Sequence, residues 1–159
     1  MDAVRLIGVG RRALAQSHEV PDIVAEAWQA QALAQAVGSR LAVGGPPELR
    51  GEALGLSEVG GRGCGALGDP ELKTEEIRAS QLTEIGDARQ SLLELGVMLG
   101  EVGMALVGIA CSAEEDSVYW QCMEGIDAAD EARDRVVDML RKLAARDENL
   151  PERDSAGTP

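Results

Sequence analysis

With 159 residues, the chain is long enough for one domain with a substantial core, and its formal net charge is −13. Such an acidic surface repels phosphate backbones and anionic membranes, so we expect neither nucleic acid nor a membrane as a partner. Aromatic residues make up 2% of the chain and phenylalanine is missing, which predicts an aliphatic core. The adjacent Arg11 and Arg12 form a local basic patch that could still pair with an acidic partner.

Helical spacing of apolar residues predicts two helices in the first part of the chain, over residues 3–17 and 21–43. Pro21 suits the first position of the second helix, and Asp22 favours its positive N-terminal end. Gly44, Gly45 and Pro46 follow the second helix, so we expect it to end there.

Residues 47–67 keep helical spacing but contain six glycines. Each glycine inside a helix costs about 1 kcal/mol relative to alanine, so this helix requires compensating packing against a neighbour. The sequence leaves open whether residues 60–68 are helix or loop. Residues 63–68 match the Gly-x-Gly-x-x-Gly pattern, but no convincing strand precedes them, so we do not expect a dinucleotide site.

A heptad stripe dominates the centre of the chain and predicts a long helix whose apolar side is buried. Asp69 and Pro70 predict the start of this helix, which would cover residues 71–111 with a bend near Ser80. The stripe consists of Ile85, Ala88, Leu92, Leu95, Leu99, Val102, Leu106 and Ile109.

Ser112 and Glu115 match a capping box, which predicts a last helix over residues 112–146. The short connection predicts that the last two helices are antiparallel neighbours. Residues 147–159 are polar with two prolines and indicate a disordered acidic tail. The predicted fold is therefore all-α, an antiparallel helical bundle of four or five helices forming a single domain over residues 1–146.

The residues able to carry chemistry do not form a known catalytic or metal-binding pattern. Cys64, Cys111 and Cys122 lack Cys-x-x-Cys spacing, which favours free thiols in a reducing cytosol; whether Cys111 and Cys122 meet stays open. His18 is the one histidine, so the Glu-x-x-His motifs of a di-iron bundle are missing. We predict no catalytic residue, no cofactor and no metal.

Acidic rows on the last two helices are interpreted as solvated faces. The fourth helix carries Glu84, Asp87, Glu94 and Glu101, and the fifth carries Glu124, Asp127, Glu131, Asp134 and Asp138.

A second stripe on the fourth helix is rich in glycine and would let another helix approach closely. Close packing of the second or third helix of the same chain is the favoured interpretation, and a homodimer face or a groove for a flat ligand is the functional one. Two tryptophans lie off the main stripes of their helices, either as interface residues or as lids over the core. The candidate interaction surface consists of Trp28, Gly96, Gly100, Gly103 and Trp120.

Residues 20–29, 45–52 and 119–131 resemble a family of small actinobacterial proteins with no assigned function. The resemblance covers nearly the whole chain except the tail. It implies no activity, so no functional residue can be transferred from it.

We expect a non-enzymatic, cytoplasmic protein that acts through protein–protein contacts as a homo-oligomer. No signal peptide is expected, and the apolar run 102–113 is too short to span a bilayer. One alternative is a small-molecule sensor with an apolar pocket between the second, third and fourth helices. A weaker alternative is an enzyme that uses His18 or a cysteine.

Overall fold

The computed structural model describes residues 1–149, and within these residues it contains five α-helices and no β-strand. This confirms the all-α prediction. A 3-10 turn, Pro47–Leu49, precedes the third helix. The helices are α1 Ala3–Gln16, α2 Val20–Gly44, α3 Arg50–Leu67, α4 Ala88–Ser112 and α5 Asp116–Asn149.

Helices α4 and α5 pack side by side in antiparallel directions, as their short connection predicts. Gly96 of α4 lies against Val136 of α5, whereas Gly103, further along α4, lies near Asp130, which comes earlier in α5. Only residues 113–115 separate the two helices, and such a short connection makes them antiparallel neighbours. Helix α5 also packs against α3, and α1 packs against both α2 and α4.

Glycines allow α2 and α3 to pack almost backbone to backbone. A Cβ atom on Gly38 of α2 would lie 2.7 Å from the carbonyl oxygen of Ala53, and one on Gly60 of α3 would lie 2.7 Å from the amide nitrogen of Gln35. The glycine-rich third helix therefore continues through residues 60–67, because close packing offsets its low propensity. Gly68, with φ +83°, ends it.

The heptad stripe of α4 forms the centre of the core, as predicted. Ala88 is partly buried, and Ile85, also partly buried, lies just before the helix begins. No aromatic side chain is among the buried residues of the described chain, which agrees with an aliphatic core. The fully buried members of the stripe are Leu92, Leu95, Leu99, Val102, Leu106 and Ile109.

The prediction that the fourth helix starts at residue 71 is wrong. Residues 69–87 contain only two 3-10 turns, Thr74–Glu76 and Arg78–Gln81, and α4 starts at Ala88. Asp87 is its N-cap, and the Asp87 Oδ1 atom accepts a 2.8 Å hydrogen bond from the amide of Gln90.

Side chains of α2 hold the 69–87 segment outside any helix. The Gln29 amide donates to the carbonyl of Glu76 at 2.8 Å and accepts from the amide of Arg78 at 3.0 Å. Arg40 donates to the carbonyls of Leu82 and Thr83 at 2.9 and 2.7 Å. Because these backbone groups have long-range partners, the segment satisfies them without helical hydrogen bonds.

The predicted capping box at Ser112 is also wrong. Ser112 closes α4 instead, since its hydroxyl donates to the carbonyls of Gly108 and Ile109 at 3.2 and 3.3 Å. At the other end of α5, residues 147–149 are helical although they were predicted to belong to the tail. The remainder of the predicted tail, residues 150–159, lies outside the described residues.

Candidate functional site

The glycines of the predicted interaction surface lie mainly beneath α5. A Cβ atom on Gly96 would be 3.4 Å from Val136, and Gly103 is buried. Gly100 is half-buried, and the Arg133 guanidinium lies 3.5 Å from the position of its missing Cβ. Close packing within the chain thus explains this stripe, although the neighbouring helix is α5 rather than the second or third helix.

The two tryptophans of the predicted surface lie away from these glycines. Trp28 is half-buried, its carbonyl accepts a 3.6 Å contact from the Cys64 thiol, and it borders a cavity of about 310 Å³. Trp120 is 62% exposed and packs edge-on against Tyr119. On α5, Trp120 lies about 15 Å from Asp130, which is beside Gly103. The structure therefore does not bring the five residues into one surface.

The part of α4 that lies beside its contact with α5 is apolar and exposed. Leu93, Val97, Met104 and Val107 are 51%, 47%, 74% and 41% exposed. Their spacing of four, seven and three residues places them on one side of the helix, with Gly100 between them. Single exposed apolar residues are ordinary, whereas four in one row form a contiguous patch. We call this row the α4 stripe.

Two residues of the α4 stripe, Val97 and Met104, form the floor of a groove of about 900 Å³ together with Gly100, and the groove is open to solvent. Helix α1 forms one wall, which includes Gly8, Leu14 and Ala15. Arg133 of α5 lines the other wall. We call this feature the α1–α5 groove.

Arg11 on the α1 wall forms ion pairs with two carboxylates of α4. Arg11 binds Glu101 with two nitrogens, through Nε at 3.0 Å and Nη2 at 2.6 Å, and it binds Glu94 through Nη1 at 3.2 Å. The hydrogen bonds that Arg11 donates to Glu101 raise the pKa of Arg11. The prediction of a solvated acidic face is therefore wrong for Glu94 and Glu101, because both carboxylates join α4 to α1. On α5, Glu131 likewise pairs with Arg62 of α3.

Two other arginines of the groove have no ion-pair partner within residues 1–149. Arg12 on α1 is exposed, and its guanidinium lies 3.4 Å from the position of a Cβ on Gly8. Arg133 on α5 is exposed and lies across Gly100. They occupy opposite walls of the groove, each over a glycine. Asp130, one turn from Arg133, lies near Gly103 and does not line the groove.

Among the groove residues, Arg11 and Arg12 were predicted from the sequence as a basic patch, whereas Val97, Met104 and Arg133 were not predicted. Val97 and Met104 could have been found from a third apolar row on α4 beside its core and glycine stripes, since a helix apolar around most of its circumference needs partners on several sides. Arg133 was hidden because it lies within the acidic row of α5.

The thiols and the histidine do not form a recognisable catalytic arrangement in the described chain. Burial raises the pKa of the Cys64 thiol to about 11 and also raises the pKa of Cys122. Cys122 is buried and Cys64 is half-buried, and a protonated thiol is a poor nucleophile. His18 is exposed between α1 and α2, and Cys111 is exposed near the end of α4. Residues 1–149 contain no cluster of three or more metal-ligating side chains.

The Gly-x-Gly-x-x-Gly segment lies in the last turns of α3 rather than after a strand. It therefore lacks the strand–turn–helix context of a dinucleotide site.

Among the described helices, α4 alone is long and apolar enough to cross a membrane, a property that core helices of other proteins share. Here its heptad stripe packs inside the bundle.

Comparisons with known proteins give a family but no activity. No curated protein and no solved structure matches the chain. Residues 1–142 match a family model, which covers all of α1 to α4 and most of α5. The chain therefore belongs to the family of unknown function DUF6099.

Proposed function

We propose that this protein is non-enzymatic and acts through protein–protein contacts at the α4 stripe and the α1–α5 groove. The observation that carries this proposal is the exposure of four apolar side chains in one row, with Met104 the most exposed of them at 74%. Patches of this kind mark interaction sites because exposing apolar surface to water is unfavourable. The proposal includes a cytoplasmic location and, as one form of contact, a homo-oligomer.

The shape of the groove favours a protein segment over a small molecule. Small-molecule sites usually enclose most of their ligand, whereas this groove is open to solvent. The predicted sensor pocket would lie between α2, α3 and α4, but the groove lies between α1, α4 and α5. An open groove between two walls, about two helical turns long with Val97 and Met104 on its floor, suits a helical segment of a partner.

Site-specific photo-crosslinking in cells tests the proposal. Benzoyl-phenylalanine replaces Met104 in the full chain, and in a matched control it replaces Val43, which is 83% exposed but lies at the end of α2. We expect a discrete covalent adduct from position 104 and none of that mass from position 43. The proposal fails if the two positions give the same products.

The mass of the adduct separates the two forms of contact. An adduct of twice the chain mass indicates a second copy, and native mass spectrometry of the purified chain should then show an oligomer that Met104→Glu dissociates. An adduct of any other discrete mass indicates a different protein.

A further inference from the structure

We propose that the occupant of the α1–α5 groove is an acidic amphipathic helix of a partner protein. This inference rests on the proposed function and narrows it to one class of partner. It predicts an apolar side that contacts the α4 stripe and carboxylates on both flanks of that side.

The dimensions of the groove fit a helix. On α4 the lining of the groove extends from Val97 to Ala105, a rise of about 12 Å, which equals about two helical turns. On α1 the lining extends from Gly8 to Ala15, a rise of about 10 Å, so the floor and this wall have similar lengths. The guanidinium groups of Arg12 and Arg133 lie over Gly8 and Gly100, so the apolar side chains of a docked helix would contact Val97 and Met104 on the floor between them.

The charges that line the groove differ from those of the whole protein. Its lining includes Arg11, Arg12 and Arg133 but only one carboxylate, that of Glu101, although the chain carries a net charge of −13. Glu101 is already bound to Arg11. This leaves one unpaired guanidinium on each wall, which is the arrangement expected to receive carboxylates from both flanks of an amphipathic helix.

The same charges disfavour a second copy of this chain as the occupant. Two copies paired through the centres of their grooves would bring Arg12 and Arg133 of both molecules into one interface. The one carboxylate of the groove lining, Glu101, already binds Arg11, so these four arginines would have no carboxylate partner from the lining. Like charges brought together in an interface oppose association. A partner with acidic flanks avoids this repulsion and gains ion pairs.

Fluorescence anisotropy with designed helical peptides tests the inference on the full chain. The probe is a labelled peptide of about 16 residues, long enough to cover the stripe, with leucine along one side and glutamate on both flanks. A second peptide has the same leucines, with lysine in place of every glutamate. We expect the glutamate peptide to bind more tightly, although the protein as a whole is acidic and would attract the lysine peptide.

Matched charge reversals then locate the binding site. Combining Arg12→Glu with Arg133→Glu should weaken the glutamate peptide by about tenfold or more and invert the preference. The control combines Arg5→Glu with Arg141→Glu, which changes the charge of α1 and α5 equally outside the groove and should leave the preference intact. Circular dichroism establishes that both double variants remain folded.

Three results would overturn the inference: no binding of the glutamate peptide, equal or tighter binding of the lysine peptide, or equal losses in both double variants. Binding to anionic phospholipid vesicles in place of the peptide would also overturn it and would assign the groove to a lipid surface. These failures leave the proposed function standing if position 104 still crosslinks to a protein. A missing crosslink would contradict the proposed function itself.

Discussion

The guanidinium of Arg133 on α5 lies over the backbone of Gly100 on α4, with its Cζ 3.5 Å from the position that a Cβ of Gly100 would take. Glycine at this point lets the arginine cross the edge of the α4–α5 contact and reach the groove. The atoms involved are the far end of a flexible, exposed side chain, so the contact can adjust. A side chain at position 100 would therefore meet a movable guanidinium, whereas one at Gly38 or Gly60 would meet fixed backbone atoms.

Gly100→Ala should stabilise the protein. Alanine favours a helix over glycine, and the new methyl group would meet Arg133 at ordinary contact distance, so we expect the free energy of unfolding to rise by about 0.5–1 kcal/mol. Urea unfolding followed by circular dichroism measures the change. A lower stability would show that Arg133 cannot move aside.

Gly38→Ala should destabilise the protein, in contrast to Gly100→Ala. Its new Cβ would lie 2.7 Å from both the carbonyl oxygen of Ala53 and the amide nitrogen of Ser57, and backbone atoms cannot rotate away. We expect a loss of about 1–3 kcal/mol, since α2 and α3 must separate to make room. The same urea titration checks it, and stability equal to wild type would contradict the close α2–α3 packing.

Structural features that follow from the helical repeat of apolar residues, or from a short connection between helices, could be predicted from the sequence. The heptad stripe predicted six of the buried residues of α4, since repetition at three and four positions has one geometric meaning in a helix. It did not include the buried Ser91, Met98 and Gly103, and its first two members, Ile85 and Ala88, are only partly buried. The short connection after Cys111 predicted the antiparallel pairing of α4 and α5 for a similar reason.

Structural features that depend on contacts between residues far apart in the chain could not be predicted from local sequence patterns. Residues 71–87 have local helical signals, but Gln29 and Arg40 from α2 bind their backbone and hold them in another conformation. Likewise, Glu94 and Glu101 form a plausible solvated row until α1 brings Arg11 beside them. Nothing in the local sequence of either segment identifies its partner.

The corrected start of α4 can be tested with two aspartates. Asp87→Ala removes the side chain that caps Gln90 and should lower the free energy of unfolding by about 1 kcal/mol. Asp69→Ala, at the start predicted from the sequence, should change it by less than about 0.5 kcal/mol because Asp69 is exposed and precedes no helix. Chemical denaturation of both variants distinguishes the two starts, and the reverse order of effects would contradict the structure.

The three thiols should differ in reactivity. Cys111 is exposed and should react first with iodoacetamide at pH 8, whereas burial protects Cys64 and Cys122. Because burial raises the pKa of Cys64 from 9.0 to about 11, its neutral form is favoured in the folded state. Its contribution to stability should be complete below pH 9 and should be lost as the pH rises towards 11.

Peptide mass spectrometry after timed labelling measures the order of reaction, with the unfolded protein in urea as the control in which all three thiols react. Rapid labelling of Cys64 in the folded protein at pH 8 would contradict its burial. Cys64→Ala should flatten part of the decline in stability between pH 9 and 11.

Gln31 on α2 is fully buried, and within the described residues neither its Nε2 nor its Oε1 has a hydrogen-bond partner. Its amide lies against α3, where the Cδ atom is 2.6 Å from the position of a Cβ on Gly63. An unpaired buried amide lowers stability, so Gln31→Met, which keeps the shape and removes the polar atoms, should raise the free energy of unfolding by about 1–2 kcal/mol. Gln35→Met on the same helix is exposed and should change it by less than about 0.5 kcal/mol. If Gln31→Met instead destabilises the protein, the amide has a hydrogen-bonding partner in solution, and the α2–α3 contact contains a polar site rather than a purely steric one.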